Sequence, residues 1–370
     1  MTTTTNEFEL RPTARPLAAA EREAVLAAPG FGQRFTDHMV TLRWSAERGW
    51  HDGRLEPYGS FTLEPATSVF HYGQAMFEGM KAYRQPGGAI ALFRPEANAA
   101  RFNASARRMA MPELPPELFL AALELLVTQD RDWVPQGVGW SLYLRPFMIA
   151  TDPSLGFTNP SRTFLFCVVA SPATPYFGGG APRPLSVWLS TRYTRAVLGG
   201  TGSAKTAGNY AGAFAAGVEA SAHGCDQVVW LDAVEHRWVE EMGGMNLFVV
   251  HTSPHAPPRL STPPLTGTLL PGITRDSLLR LAPRLGYDAV ERPLSVQQWR
   301  ERCAAGEVSE AFACGTAAVI APIGTVKSEH GGWSVGDGRP GPVTSRLRQE
   351  LLDLQHGLVP DPDGWVRRVC

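Results

Sequence analysis

LGGTGSAKTAGNY, Leu198 to Tyr210, is the segment on which the reading of this chain turns. Four glycines and several small residues surround a single lysine, Lys205, just ahead of an Ala-rich run. Glycine permits tight turns and the close approach of backbone to a ligand. A lysine held in so crowded and dry a loop loses hydration, which lowers its affinity for a proton. A neutral amine is what Schiff-base chemistry requires. The loop does not end in GK[ST], so it is not a phosphate-binding P-loop. Taken alone, a loop lysine is more often a solvated surface residue. The rest of the chain has to decide between the two.

Working outward, VEEMGGMNLFVV (239–250) places Glu241 between two strand-like runs. A buried carboxylate there can hold the proton on a pyridinium nitrogen and keep such a ring an electron sink. In FRPEANAARFNASARRMAMP (93–112), Arg101 lies on an apolar helix, where a planar guanidinium can clamp a phosphate. PGITRDSLL (271–279) offers a helix N-terminus at Gly272, Ile273 and Thr274, whose backbone N–H groups suit an anion. ACGTAAV (313–319) offers a second strand-to-turn site at Gly315, Thr316 and Ala317. Each pattern is common singly. Together they are the parts that a pyridoxal phosphate site needs.

The whole chain is compatible with an enzyme of this kind. It has 370 residues, a net charge of -1 and 44% apolar residues. That length suggests two domains. The balanced charge argues against a nucleic-acid or acidic-membrane partner. No apolar run approaches the ~20 residues of a membrane helix, and MTTTTNEFEL does not read as a signal peptide. The five cysteines, Cys167, Cys225, Cys303, Cys314 and Cys370, are scattered and contain no CxxC. No metal site or disulfide is expected from them, and a reduced, cytoplasmic setting fits best.

Periodicity and punctuation supply the elements. Leu17 to Ala28 reads as a helix stopped by Pro29-Gly30. His38, Val40, Leu42 and Trp44 alternate with polar neighbours as in a half-buried strand. KAYRQPGGAIALFR reads as two strands around a Pro-Gly-Gly turn. Pro95 opens a helix to about Met109, and another follows Pro115-Pro116. Strands are expected at 142–149, 163–170, 185–190, 227–231, 247–250 and 311–314, and helices at 210–222, 275–285 and 344–355. SPATPYFGGGAPRP (171–184) is the best linker. The expected class is α+β, with an N-terminal α/β domain over 1–175, a linker at 176–184, and a larger C-terminal domain over 185–370 that carries the lysine.

The motifs resemble those of branched-chain amino-acid aminotransferases, of the class IV, D-alanine-aminotransferase-like fold type IV. The resemblance rests on FGQRFTDHMV, HYGQAMFEGMKAYR, RFNASARRMAMP, LYLRP, DPSLGF, GTGSAKTAGNYA, EEMGGMNLFVV, PGITRDSLL and ACGTAAVIAP. These segments follow the family's order over about residues 30 to 325.

That resemblance implies a pyridoxal 5′-phosphate enzyme with the cofactor between two domains, bound as a Schiff base on Lys205, which also moves the proton at Cα. It implies that Glu241 faces the ring nitrogen and Tyr210 the phenolic oxygen. Arg101 would bind the phosphate, with backbone groups of Ile273, Thr274 and Thr316, and Arg195 would lie near it. Phe31, Tyr72, Phe77, Tyr143 and Tyr176 would line the substrate pocket. Arg145 would receive the side-chain carboxylate of glutamate, and Ala317 with Thr316 the α-carboxylate. It further implies a homodimer, with Tyr72, Leu155 and Phe157 near the partner's pocket. The reaction would be ping-pong transamination of leucine, isoleucine and valine with 2-oxoglutarate. A relative specialised for a non-proteinogenic amino acid is the runner-up, because Ala207 and Gly244 depart from the family's KxGGNY and threonine patterns. The redox CxxC of some relatives is replaced at Ala318 and Ala321.

Overall fold

The computed structural model describes residues 8–156, 158–176 and 182–370. They form two units. The first takes the described residues up to 176, with Ala204–Ala207 and Asp353–Cys370; the second takes 182–203 and Gly208–Leu352. The first is thus the larger, and it holds Lys205, where the sequence places the lysine in a larger C-terminal domain. Hydrogen bonding is the reason: the lysine segment bonds to the strand Ala75–Phe77, and the C-terminal strand Val366–Arg368 pairs with Ile90–Phe93. Much of the expected linker, 177–181, lies outside the described residues, as does Phe157.

The first unit is built on a sheet of nine described strands. Its centre is Thr163–Ala173 paired antiparallel with Ser141–Ala150, flanked by His38–Ser45 on one side and by Met80–Arg84 and Ala75–Phe77 on the other. The helices Pro95–Arg108 and Pro116–Gln129 each start on a proline, where the missing N–H leaves no bond unmade. They bury Phe102 and Phe119 against Phe166 of the sheet, with ring centroids 5.3 to 6.1 Å apart. His38–Ser45 differs from the half-buried strand expected of it: its first five residues are all buried. The polar side chains of that run survive burial because they are paired. His38 Nδ1 lies 2.6 Å from Asp130 Oδ1, and Thr41 donates to Glu56 at 2.6 Å.

In the second unit, Val239–Met242, Gln227–Leu231, Leu185–Leu189, Val319–Ser328, Val308–Gly315 and Met245–Ser253 follow one another in hydrogen-bonded order. The further pairing of Val239–Met242 with Met245–Ser253 closes these six into a ring. Phe248 and Phe312 stack inside this unit at 5.3 Å. The Ala-rich run read as one helix from Tyr210 is two, Ala207–Ala211 and Phe214–Ala222. Gly208 and Gly212 weaken the helix there.

Candidate active site

In the first unit the site starts from a strand-like seam. The Phe77 N–H donates to Lys205 O at 3.0 Å, and Met76 bridges to Thr206. The Thr206 hydroxyl donates to Ala75 O at 2.7 Å, and the Lys205 N–H donates to Ser105 Oγ at 2.9 Å. The lysine backbone is therefore fixed on both sides, although its loop is rich in glycine. Lys205 Nζ lies 4.9 Å from the Phe77 ring centroid. The residue keeps some solvent contact, but its amine end is stripped of hydration. Burial first, then the charges of Arg101 and Arg145, lower its pKa to about 8 against the opposing pull of Glu78 and Tyr143. This is the dry, neutralisable amine that the sequence suggested.

Arg101, 8% exposed, points inward from the helix Pro95–Arg108. Its Nε and Nη2 each donate at 2.8 Å to the two oxygens of Glu78, a fully buried carboxylate. Burial opposes a charge on Glu78. The arginine's charge and hydrogen bonds, helped by Lys205 and Asn98, outweigh it and hold Glu78 below the ordinary carboxylate range. Glu78 and Ser105 are the residues of this group that sequence reasoning missed. The available signal was an acidic residue inside the apolar run AMFEGM.

Beside them opens a cavity of about 410 Å³ walled by Phe31, Phe77, Tyr143, Arg145, Phe147 and Ile149. Phe31 meets the Tyr143 ring edge-on at 4.9 Å. The Arg145 guanidinium lies 4.6 Å from the Phe77 centroid and donates from Nη2 to the Tyr143 hydroxyl at 2.9 Å. Its Nε is buried without a hydrogen-bond partner. The cavity thus offers aromatic and aliphatic walls with one cationic point, which suits an aliphatic side chain and also a carboxylate. Ala207 is part of the same wall. Tyr72 lines a different, polar cavity of about 490 Å³, where its hydroxyl donates to Leu155 O. Tyr176 is exposed.

In the second unit Glu241 is 2% exposed, far from the solvated turn its neighbours suggest. One oxygen accepts from Leu270 N at 2.6 Å and from Asn246 Nδ2 at 3.4 Å; the other lies 3.0 Å from Arg195 Nε. That last contact is an ion pair by distance and lacks the alignment of a hydrogen bond. Arg195 also donates to the carbonyls of Thr268 and Gly202. The structure therefore places Arg195 against the carboxylate of Glu241. The adjacent Glu240 is buried too, which pushes its pKa up despite the Thr268 hydroxyl.

Three consecutive residues tie the remaining candidates to Glu241. A Cβ on Gly244 would stand 3.3 Å from Tyr210 Cε1, so the missing side chain leaves room for that ring. Met245 packs on Gly315, whose added Cβ would lie 3.1 Å from its Cγ. Gly315 leads into the turn of Thr316 and Ala317, which ends on Val319 at φ +63. A left-handed β-branched residue is strained, and such turns aim backbone groups in fixed directions. Asn246 abuts Gly272, where a Cβ would fall 1.9 Å from Oδ1. Gly272 begins the helix Ile273–Arg284, and no side chain caps it. Tyr210, Glu241, the helix start at Ile273 and Thr274, and the Thr316 turn are thus brought to one place in this unit.

These residues fit a phosphorylated pyridine aldehyde. A desolvated amine, a buried carboxylate paired with an arginine, a helix start uncapped by any side chain and glycines that permit close approach are all present. Comparison with known proteins agrees. The family described as "Amino-transferase class IV" matches residues 75–326. A "Probable branched-chain-amino-acid aminotransferase" of Streptomyces coelicolor is 55% identical over 99% of this chain and 100% of its own. A "Branched-chain-amino-acid aminotransferase" of Mycolicibacterium smegmatis is 52% identical over 98% of each. The solved T.th. branched-chain amino acid aminotransferase with pyridoxamine 5′-phosphate superposes with a TM-score of 0.72 at 29% identity, covering 89% of this chain and 98% of that one. By site and by likeness alike, the chain belongs to the class IV aminotransferases.

Proposed function

We propose that the protein exchanges the amino group between leucine, isoleucine or valine and 2-oxoglutarate, with pyridoxal 5′-phosphate as cofactor. One observation carries this reading: the desolvated Lys205 amine stands over Phe77, a wall of a cavity that combines apolar surface with the single guanidinium of Arg145. The relatives named above are described as acting on branched-chain amino acids, which agrees with those walls. Burying an aliphatic side chain there is favourable by roughly 25 cal/mol per Å².

When bound, the cofactor supplies an electrophilic carbonyl and an electron sink for charge at the substrate Cα. The chain's own groups do the rest. Lys205, with a pKa of about 8, is poised to lose and regain a proton near neutrality, as a group that moves the Cα proton must. Glu241, paired with Arg195, would hold a proton on the ring nitrogen, and Tyr210 would donate to the neighbouring phenolic oxygen. Arg101 with the backbone N–H groups of Ile273, Thr274 and Thr316 receives the phosphate. The Thr316 and Ala317 N–H groups receive the α-carboxylate. Arg145 and Tyr143 receive the distal carboxylate in the 2-oxoglutarate half. Phe31 and Phe77 line the substrate surface, and the exposed Tyr176 would reach it only on ligand binding. We further read the enzyme as a cytoplasmic homodimer in which Tyr72 and Leu155 approach the partner's pocket. Among the described residues no helix is long and apolar enough to cross a membrane.

The test is an amino-donor panel with 2-oxoglutarate, run on the wild type and on Lys205→Ala. Leucine, isoleucine and valine should be the best donors. The variant should lose turnover and the visible absorbance of the bound cofactor. Wild-type turnover in Lys205→Ala, or failure of all three donors in the wild type, overturns the reading.

A further inference from the structure

Glu78 has no part in the chemistry above, yet it is 0% exposed and directly follows Phe77, over whose ring Lys205 Nζ stands at 4.9 Å. Both of its oxygens are engaged. Oε1 accepts from Arg101 Nε at 2.8 Å; Oε2 accepts from Arg101 Nη2 at 2.8 Å, from Asn98 Nδ2 at 2.7 Å and from Gly79 N at 3.3 Å. Its own N–H donates to Pro146 O at 2.7 Å, which fixes it next to Arg145 on the neighbouring strand. Two fork-on-fork bonds leave the Arg101 guanidinium one plane and one direction.

The charges that act on the Lys205 amine come from four groups. Arg101 and Arg145 oppose a proton there, and Glu78 and Tyr143 favour it. Three cationic side chains therefore share a small region with one buried carboxylate. A structural ion pair would only pin the helix Pro95–Arg108 to its strand. Bonded to Arg101 and acting by its charge on the Lys205 amine, Glu78 has a second effect that can be measured separately.

We propose that Glu78 is a positioning residue that locks the Arg101 fork and supplies the counter-charge for the Lys205 amine. Its meaning for transamination rests on the reading of Lys205 given above. The electrostatic claim needs no bound cofactor, so the two can fail independently.

The chain has three lysines, Lys81, Lys205 and Lys327. Reductive methylation with 13C-formaldehyde therefore gives few signals, and the one lost in Lys205→Arg identifies Lys205. In the cofactor-free protein its titration midpoint should lie near 8. Glu78→Gln should move that midpoint down by about one unit or more. Glu78→Asp, which keeps the charge, should leave it within a few tenths. If Glu78→Gln does not fold, Arg101→Gln gives the converse reading: with the opposing cation gone and Glu78 retained, the midpoint should rise. A midpoint in Glu78→Gln that is unchanged or higher, or one that responds equally to Gln and Asp, overturns the proposal. So does an unchanged midpoint in Arg101→Gln. Loss of donor activity alongside the expected shifts would instead count against the reading of Lys205.

Discussion

Gly79→Ala tests how the cavity accepts a distal carboxylate. A Cβ at this position would lie 2.1 Å from the Tyr143 hydroxyl oxygen and 3.0 Å from Cζ. Ordinary contact begins near 3.4 Å, so the hydroxyl must retreat by about 1 Å or more. Its ring cannot swing freely, since Phe31 packs against it at 4.9 Å and the residue is 8% exposed. The bond lost is the 2.9 Å contact from Arg145 Nη2. A hydrogen bond to a charged group contributes about 1.5–3 kcal/mol, or roughly 10- to 150-fold in kcat/KM. The two half-reactions, followed separately by single-turnover spectroscopy, should respond unequally. The 2-oxoglutarate half should lose that factor. The leucine half should lose far less, because its aliphatic chain is proposed to lie against Phe147 and Ile149, whereas the atoms nearest the new methyl all belong to Tyr143. In Tyr143→Phe the same glycine substitution should add little, since the clashing oxygen is gone. Equal losses in both half-reactions, or an undiminished penalty in the Tyr143→Phe background, would refute the assignment of Tyr143 and Arg145 to the distal carboxylate.

Two further outcomes follow from the same geometry. Burial and the neighbouring arginines lower the Lys205 pKa from 10.5 to about 8 in the folded chain; between those values the unfolded state binds the extra proton, so stability should rise with pH. Relative to Lys205→Met, the cofactor-free wild type should carry a deficit of at most about 3 kcal/mol at pH 7 that shrinks towards pH 10.5, read by urea unfolding at several pH values. A difference that does not change with pH contradicts this. Gly272→Ala should force Asn246 away from the helix start, because the new Cβ would sit 1.9 Å from Oδ1. Expected consequences are a loss of about 1–3 kcal/mol of stability and weaker binding of pyridoxal phosphate by the cofactor-free protein, and normal values for both would exclude the strain.

Local chemistry was legible in the sequence where it depended on neighbours along the chain. Pro95 and Pro116 mark the helices they begin, and Pro-Gly-Gly marks a turn between paired strands. Lys205 was singled out by its company, Tyr210, Glu241, Arg101 and the two anion cradles, because its loop alone reads more readily as solvated surface. The partners of the site residues were not legible, because they come from distant segments. Glu78 meets Arg101 from 23 residues away, and only the packing of the helix on the strand brings them together. Arg195 carries no local sign that it will meet Glu241. The burial of His38–Ser45 was missed for a related reason. Alternation reports the chemistry of side chains, whereas burial on both faces is decided by what Asp130 and Glu56 bring from elsewhere.

The two ion pairs have a common logic. A buried carboxylate left alone is opposed by several kcal/mol of lost hydration. Each unit solves this within itself, with Glu78 against Arg101 in one and Glu241 against Arg195 in the other. The side chains proposed to serve the cofactor are therefore oriented before it arrives, which reduces the ordering that binding must impose. The solution has a consequence for the phosphate. Arg101 already donates from Nε and Nη2 to Glu78, so the phosphate proposed above would meet it from the Nη1 side rather than across the Nε–Nη2 edge. On the proposed binding mode, backbone N–H groups at Ile273, Thr274 and Thr316 would share in holding the phosphate. Those groups are aimed by glycines, at Gly272 and Gly315, whose replacements would collide with Asn246 and Met245. On that proposal, the glycines beside these N–H groups would help decide how the anion is held.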